Sequence, residues 1–255
     1  NHADQGRKIM KTIIRVALIA SLATPAAWSA GTVKVYTADN EKPKTLTNAE
    51  HLLDLVGQPR LANSWWPGAV IGERQATIKA EQEHLALLAR LTGLAAQEDG
   101  DDAAAINSIR QQLQALKVTG RQKVNLDPDE VRVTEKGNPT LEGEYTLWLP
   151  VKPTTVTVMG LVSSPGKKPF TPGRDVVSYL DEQSLLSGAD NSYAWVVYPD
   201  GHTQKAPVAY WNKRHIEPMP GSIIFVGFAD HFWTKAYDGL NADILHSLTQ
   251  RIPEE

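Results

Sequence analysis

Val156-Thr157-Val158-Met159-Gly160, then Ser164-Pro165-Gly166, Val176-Val177 with Leu180, Ala194-Trp195-Val196-Val197-Tyr198 and Pro220-Gly221-Ser222-Ile223-Ile224-Phe225-Val226 follow one another as apolar runs separated by turn residues. Val156, Val158 and Met159 make a β-rich run that ends at Gly160. Ser164-Pro165-Gly166 puts Pro and Gly at the central positions a type II turn prefers, so the stretch opens with a hairpin. Val176, Val177 and Leu180 recur on one helical face, with Asp175 near the positive helix start. Gly188 suits a helix C-terminal cap. The run 194–198 turns at Pro199-Asp200-Gly201, and a second turn at 218–222 leads into the apolar strand 223–228. Hairpin, one helix, then more strands is a β-grasp order.

The first half repeats this plan in degenerate form. Val33, Val35 and Tyr36, a polar turn, then Thr45 and Leu46 read as a hairpin. A short helix follows with Asn48 as its cap and Leu52, Leu53 and Val56 on one face. Residues 124–126, 131–133 and 144–149 are expected as strands, and Leu141-Glu142-Gly143 stands before the last of them as Met219-Pro220-Gly221 does in the second half. Two tandem β-grasp units is the economical reading.

Between the first unit's helix and its later strands sits an insertion, about 72–117. Ile78, Leu85, Leu88 and Leu91 form one apolar face, Ile106, Ile109, Leu113 and Leu116 another, and the polar segment 97–102 joins them, which predicts an antiparallel helical hairpin. A final amphipathic helix is expected within 237–252. Its stripe is Leu240, Ile244, Leu245, Leu248 and Ile252, opposite Asn241, Asp243, His246 and Gln250. That stripe is too short and too charged to span a bilayer, which needs about 20 mostly apolar residues. Its remaining options are docking on the chain's own body, a homodimer with a second copy, or a partner.

A net charge of −3 leaves no electrostatic footprint for nucleic acid. The absence of cysteine excludes disulfides, thiolate zinc sites, a cysteine nucleophile and lipoprotein acylation. Lys11 and Arg15 before the apolar run 16–23, with small residues at Ala27 and Ser29, read as a secretory signal cleaved after Ser29, with residues 1–9 upstream of the start Met10. The division is therefore 1–29 upstream residues and signal, 30–152 first unit with its hairpin insertion, 153–230 second unit, and 231–255 C-terminal helix and tail. The fold class is α+β.

Val158-Met159-Gly160, Pro165-Gly166 and the segment 220–226 resemble the soluble-ligand-binding β-grasp pattern of Wza-type outer-membrane polysaccharide export proteins. Trp65-Trp66-Pro67-Gly68, Val118-Thr119-Gly120-Arg121, Leu126-Asp127-Pro128-Asp129, Trp211-Asn212-Lys213-Arg214-His215 and residues 248–253 resemble the GfcC family of group 4 capsule operons over nearly the whole mature chain. The resemblance implies a periplasmic, non-enzymatic accessory in capsule polysaccharide assembly or export. Its partners would be the polysaccharide or the export machinery, including an outer-membrane export protein, and no cofactor is implied.

No phosphate-cradling loop occurs, and no two of the histidines beyond the signal stand four apart on one helix, so neither a nucleotide nor a metal site is expected. The serines lack a nucleophile elbow. Asp127 with Asp129, or Glu142 with Glu144, have the spacing a carbohydrate-processing enzyme would need for paired carboxyl groups. Asp127-Pro128-Asp129 reads more simply as a turn, and no catalytic residue is assigned.

Three residues and one loop are candidates for ligand contact. Arg121 follows the end of the hairpin at Thr119-Gly120 and precedes a strand, where a guanidinium offers five fixed donors. It would lie between the hairpin and the first sheet, facing a ligand or paired with Asp127, Asp129 or Glu130. Trp65 and Trp66 offer indole faces that can stack on sugar rings or pack in a core. Trp211 beside Lys213, Arg214 and His215 makes a basic, aromatic loop that would touch an acidic polysaccharide or be solvated.

Overall fold

The computed structural model describes residues 30–39 and 42–254. The expected signal segment therefore falls outside the described residues. The described chain is a mixed α+β fold with two sheets and six α-helices.

In the first sheet β1 (Gly31–Tyr36) pairs antiparallel with β2 (Lys44–Ala49) and parallel with β4 (Glu144–Trp148), and β4 pairs antiparallel with β3 (Val70–Glu73), giving the order β2-β1-β4-β3. In the second, β5 (Thr155–Gly160) pairs antiparallel with β6 (Gly166–Pro169) and parallel with β9 (Ile223–Val226). β9 pairs antiparallel with β7 (Tyr193–Val197) and β7 with β8 (Thr203–Pro207), giving β6-β5-β9-β7-β8. In both sheets an opening hairpin leaves its first strand parallel to the last, and a glycine in the left-handed region, Gly143 (φ 95°) or Gly221 (φ 84°), leads into that last strand.

Short helices cover one face of each sheet. α1 (Leu52–Val56) starts at His51, with Asp54 accepting from the backbone N–H of His51 at 2.9 Å, so Asn48 is not its cap; Asn48 lies in β2 with φ 61°. Val33, Val35, Leu52, Leu55, Ile71 and Leu147 make the first core. Residues 124–126 are not a strand, and Val131 ends the helical turn α4 (Pro128–Val131). Asp127 caps that turn by accepting from Asp129 N–H at 3.0 Å, and Pro128, pre-set for a first helical position, starts it. α5 (Val176–Leu180) is capped by Asp175, which accepts from Ser178 N–H at 3.0 Å, and packs on Val158, Val196 and Ile224. It ends well before Gly188, which instead lies in a loop under the Trp233 ring.

The insertion is a helical hairpin of α2 (Arg74–Ala96) and α3 (Gly100–Gln114). Glu73 starts α2 by accepting from Gln75 and Ala76 N–H at 2.8 and 2.7 Å. The buried face of α2 is Ala80, His84, Leu87, Leu91 and Leu94. Ile78 and Leu85, expected inside, are exposed, whereas Ile106, Ile109 and Leu113 of α3 are buried as the spacing predicts. The hairpin lies over the second sheet, with the Gln112 amide clasping β5 by accepting from Gly160 N–H (2.8 Å) and donating to Gly160 C=O (3.0 Å).

α6 (Leu240–Thr249) closes the same core. Leu240, Ile244 and Leu248 are fully buried among Leu91, Ile106, Met159 and Phe225. The apolar stripe is thus spent within the chain rather than left open to a second copy. No described helix is long and apolar enough to cross a membrane.

Candidate functional site

The Thr119-Gly120-Arg121 segment sits where both sheets and the end of α6 meet. On one side it extends the edge of β3: Gly72 bridges Arg121, Glu73 N–H donates to Gly120 C=O (3.0 Å) and Gln122 N–H to Ile71 C=O (2.8 Å). On the other it pairs with the residues after α6, Thr119 N–H donating to Gln250 C=O and Ile252 N–H to Lys117 C=O, both at 2.8 Å. Gly120 is needed for close approach, since a Cβ there would lie 2.1 Å from the Ala76 carbonyl carbon in the first turn of α2.

This places the Arg121 side chain across the junction, not against the first sheet. Its guanidinium donates to Pro199 C=O at 2.8 Å and Thr249 C=O at 3.4 Å, and faces Gly201, whose own φ of 91° no side chain adopts easily. The expected ion pairs with Asp127, Asp129 or Glu130 do not form: Asp127 caps α4 and Asp129 pairs with Arg132. Burial pulls the Arg121 pKa down and the nearby charge of Asp200 pulls it back.

Arg251, which the sequence reading passed over, stands beside it. It donates to Gly221 C=O, and burial lowers its pKa to about 10, with Glu254 opposing and the positive charge of Arg121 adding to the drop. Among the described residues neither arginine has a carboxylate within ion-pair distance: Glu254 pairs with Lys167 at 2.5 Å. Two largely buried guanidiniums held by backbone carbonyls form a cationic junction whose partners carry no side-chain signature, which is why sequence spacing could not find it. The rim is Tyr198 stacked on His202 (4.1 Å between ring centroids), with Asp200 2.5 Å from His202 Nδ1.

The tryptophans do not converge on Arg121. Both are half-buried at the start of β3. Trp66 packs on the first core, and Trp65 lays its ring over Gly68, close to Pro150. Of the carboxylates, Glu144 is bound to Arg74 at 2.7 Å and Glu142 is exposed. Among the described residues no three His, Cys, Asp or Glu side chains gather as a metal set would.

A second polar feature lies between α2 and α6, a groove of about 380 Å³ lined by Glu83, His84, Arg90, Asp243, His246 and Ser247. His84 Nε2 faces the Leu113 carbonyl at 3.0 Å and must donate there, so Nδ1 accepts from the Ser247 hydroxyl at 2.5 Å. Burial lowers the His84 pKa, and the bond to Leu113 partly offsets this.

Such a chain, two small sheets locked by a helical hairpin and a basic junction, matches capsule biosynthesis proteins in both halves. Residues 29–152 match the family described as "Capsule biosynthesis GfcC, N-terminal" and residues 164–253 that described as "Capsule biosynthesis GfcC C-terminal". The chain belongs to the GfcC family of capsule biosynthesis proteins. It is 68% identical over 239 residues to the uncharacterized protein YjbG of Escherichia coli strain K12, which covers 94% of this chain and 98% of that protein.

Proposed function

We propose that this chain is a periplasmic, non-enzymatic accessory in the assembly or export of group 4 capsule polysaccharide, holding the glycan or the outer-membrane export machinery. The observation that carries the reading is membership of a capsule biosynthesis family in both halves of the chain. Both sheets are β-grasp units in this proposal, divided near residue 152. The reading is supported by the parallel first and last strands of each and by the helix that follows each opening hairpin. Arg121, Trp65 and Trp66 are the proposed ligand contacts. Arg121 is favoured by a charge that no carboxylate among the described residues approaches within ion-pair distance, at the meeting point of both sheets and α6, and by a guanidinium Nε with no hydrogen-bond partner among the described residues.

The test is genetic. Removing the chain from a strain that makes group 4 capsule should abolish surface polysaccharide, and the exported chain should restore it. Normal capsule without the chain, or rescue by a form lacking residues 10–29 and retained in the cytoplasm, would overturn the reading.

A further inference from the structure

The outer edge of the second sheet carries the most exposed aromatic surface among the described residues. Tyr210 is 95% and Trp211 70% exposed, in the turn that follows β8. That turn is closed and anchored. Asn212 Oδ1 accepts from Ala209 N–H (2.9 Å), Asn212 Nδ2 donates to Ser192 C=O (3.1 Å), and Lys213 N–H donates to Ala209 C=O (2.8 Å). The backbone that presents the two rings is therefore already ordered, and binding there would not cost the entropy of ordering a floppy loop.

Next to Ser192 the strand pair continues the surface. Tyr193 stands opposite Pro207 and Trp195 opposite Lys205, and the Lys205 ammonium lies 4.3 Å from the Tyr193 ring centroid and 5.9 Å from that of Trp195. Lys213 and Arg214 are exposed with no carboxylate partner among the described residues. The acids nearby are engaged: Asp175 and Glu217 with His215, at 3.3 and 3.5 Å, and Asp190 with the N–H groups of Ser192 and Tyr193. Lys205, Lys213 and Arg214 thus stand on this edge as cations whose charge no ion pair among the described residues takes up.

We infer that Tyr210 and Trp211, with Lys213, Arg214 and the Tyr193–Lys205 pair, form a binding site for an acidic sugar chain. An aromatic face takes the apolar C–H side of a sugar ring, and free cations beside it select carboxylate-bearing sugars over neutral ones. Three cations are too few for nucleic acid, whose binding needs a stripe of phosphate contacts. The inference rests on the capsule reading and adds the ligand class and the place.

The probe is oligogalacturonate, with a dextran oligosaccharide as the neutral control, titrated into the full mature chain by calorimetry and followed at the Trp211 indole resonance. Oligogalacturonate is expected to bind, more weakly at higher salt, and to shift that resonance. The double variant Tyr210→Ala/Trp211→Ala should weaken it tenfold or more with an unchanged melting temperature. Lys213→Gln/Arg214→Gln should weaken oligogalacturonate and leave dextran unaffected. No binding at millimolar oligogalacturonate, or equal binding by the aromatic double variant, overturns the inference. Capsule that needs the chain but tolerates the aromatic double variant overturns the site while leaving the proposed function standing. Loss of capsule in that variant without any sugar binding in the wild type assigns the loop to a protein partner and equally overturns the sugar site.

Discussion

Nη2 of Arg121 donates to the carbonyl of Pro199 over 2.8 Å, so a residue that leaves the helical hairpin in the first half grips the turn between β7 and β8 in the second. Arg121→Ala would leave that carbonyl, and the weaker partner Thr249, without a donor in a largely buried junction. A charged donor to a carbonyl is worth roughly 1.5–3 kcal/mol, so the variant should lose about 2–3 kcal/mol and remain folded. Arg121→Lys should recover only part, because a single ammonium cannot fork across two carbonyls. Thermal melts read the stability. Capsule output should fall further than protein level, and a strictly proportional fall would make Arg121 structural alone.

Gly120 sets how closely α2 approaches this segment. A methyl group at that position would overlap the Ala76 backbone, and backbone cannot swing aside as a side chain tip can. Gly120→Ala should cost at least the roughly 1–3 kcal/mol of an overpacked core, measured by denaturant midpoint at unchanged m-value. An unchanged midpoint would mean that the α2 start is free to move.

The hairpins, the amphipathic helices and the α+β class were legible because their apolar periods are regular. The face of α2 was not. Ile78 and Leu85 are large apolar residues at helical spacing, yet Ala80 and His84 share the buried stripe with Leu87 and Leu94. Small and polar residues fill that stripe because His84 finds two partners there and Ala80 lines the groove between α2 and α6. Leu87→Ala should therefore cost about 2–5 kcal/mol and Leu85→Ala under about 0.5, by chemical denaturation. Equal costs would restore the simpler stripe. Arg121 was legible as a residue of interest, but its partners were not, since backbone carbonyls of Pro199 and Thr249 leave no trace in a sequence pattern.

His84 makes the α2–α6 contact sensitive to acid. Its folded pKa lies below the ordinary 6.5 because burial disfavours the imidazolium, so the unfolded chain binds the extra proton first as pH falls. The stability it contributes is complete above pH 6.5 and declines as pH drops toward the folded value. Melting temperature should fall over that window, and His84→Gln should flatten the dependence. The other charges facing this contact are the pairs Glu83–His246 and Arg90–Asp243, so Glu83→Gln/His246→Gln is the control. A window that moves with the control and not with His84→Gln would assign the effect to the rim.

Truncation before Leu240 tests how far α6 belongs to the fold. A ten-residue helix is marginal alone in water, so its order comes from the face it buries. Leu240, Ile244 and Leu248 are fully buried, and at about 1.5–3 kcal/mol each their loss sums to roughly 5–9 kcal/mol, most of a typical domain's stability. The cut also removes Thr249, Gln250 and Ile252, whose backbone groups hold Arg121 and the 117–119 segment in place. The hairpin and the second sheet would then face water across Leu91, Ile106 and Phe225. The truncated chain should lose its cooperative melt and bind a hydrophobic dye, while Ile244→Ala alone should keep a cooperative transition lowered by about 2–5 kcal/mol. A truncated chain that still melts cooperatively near the wild-type temperature would show that α6 is an appendage rather than part of the core, and would return its stripe to the surface for a partner to use.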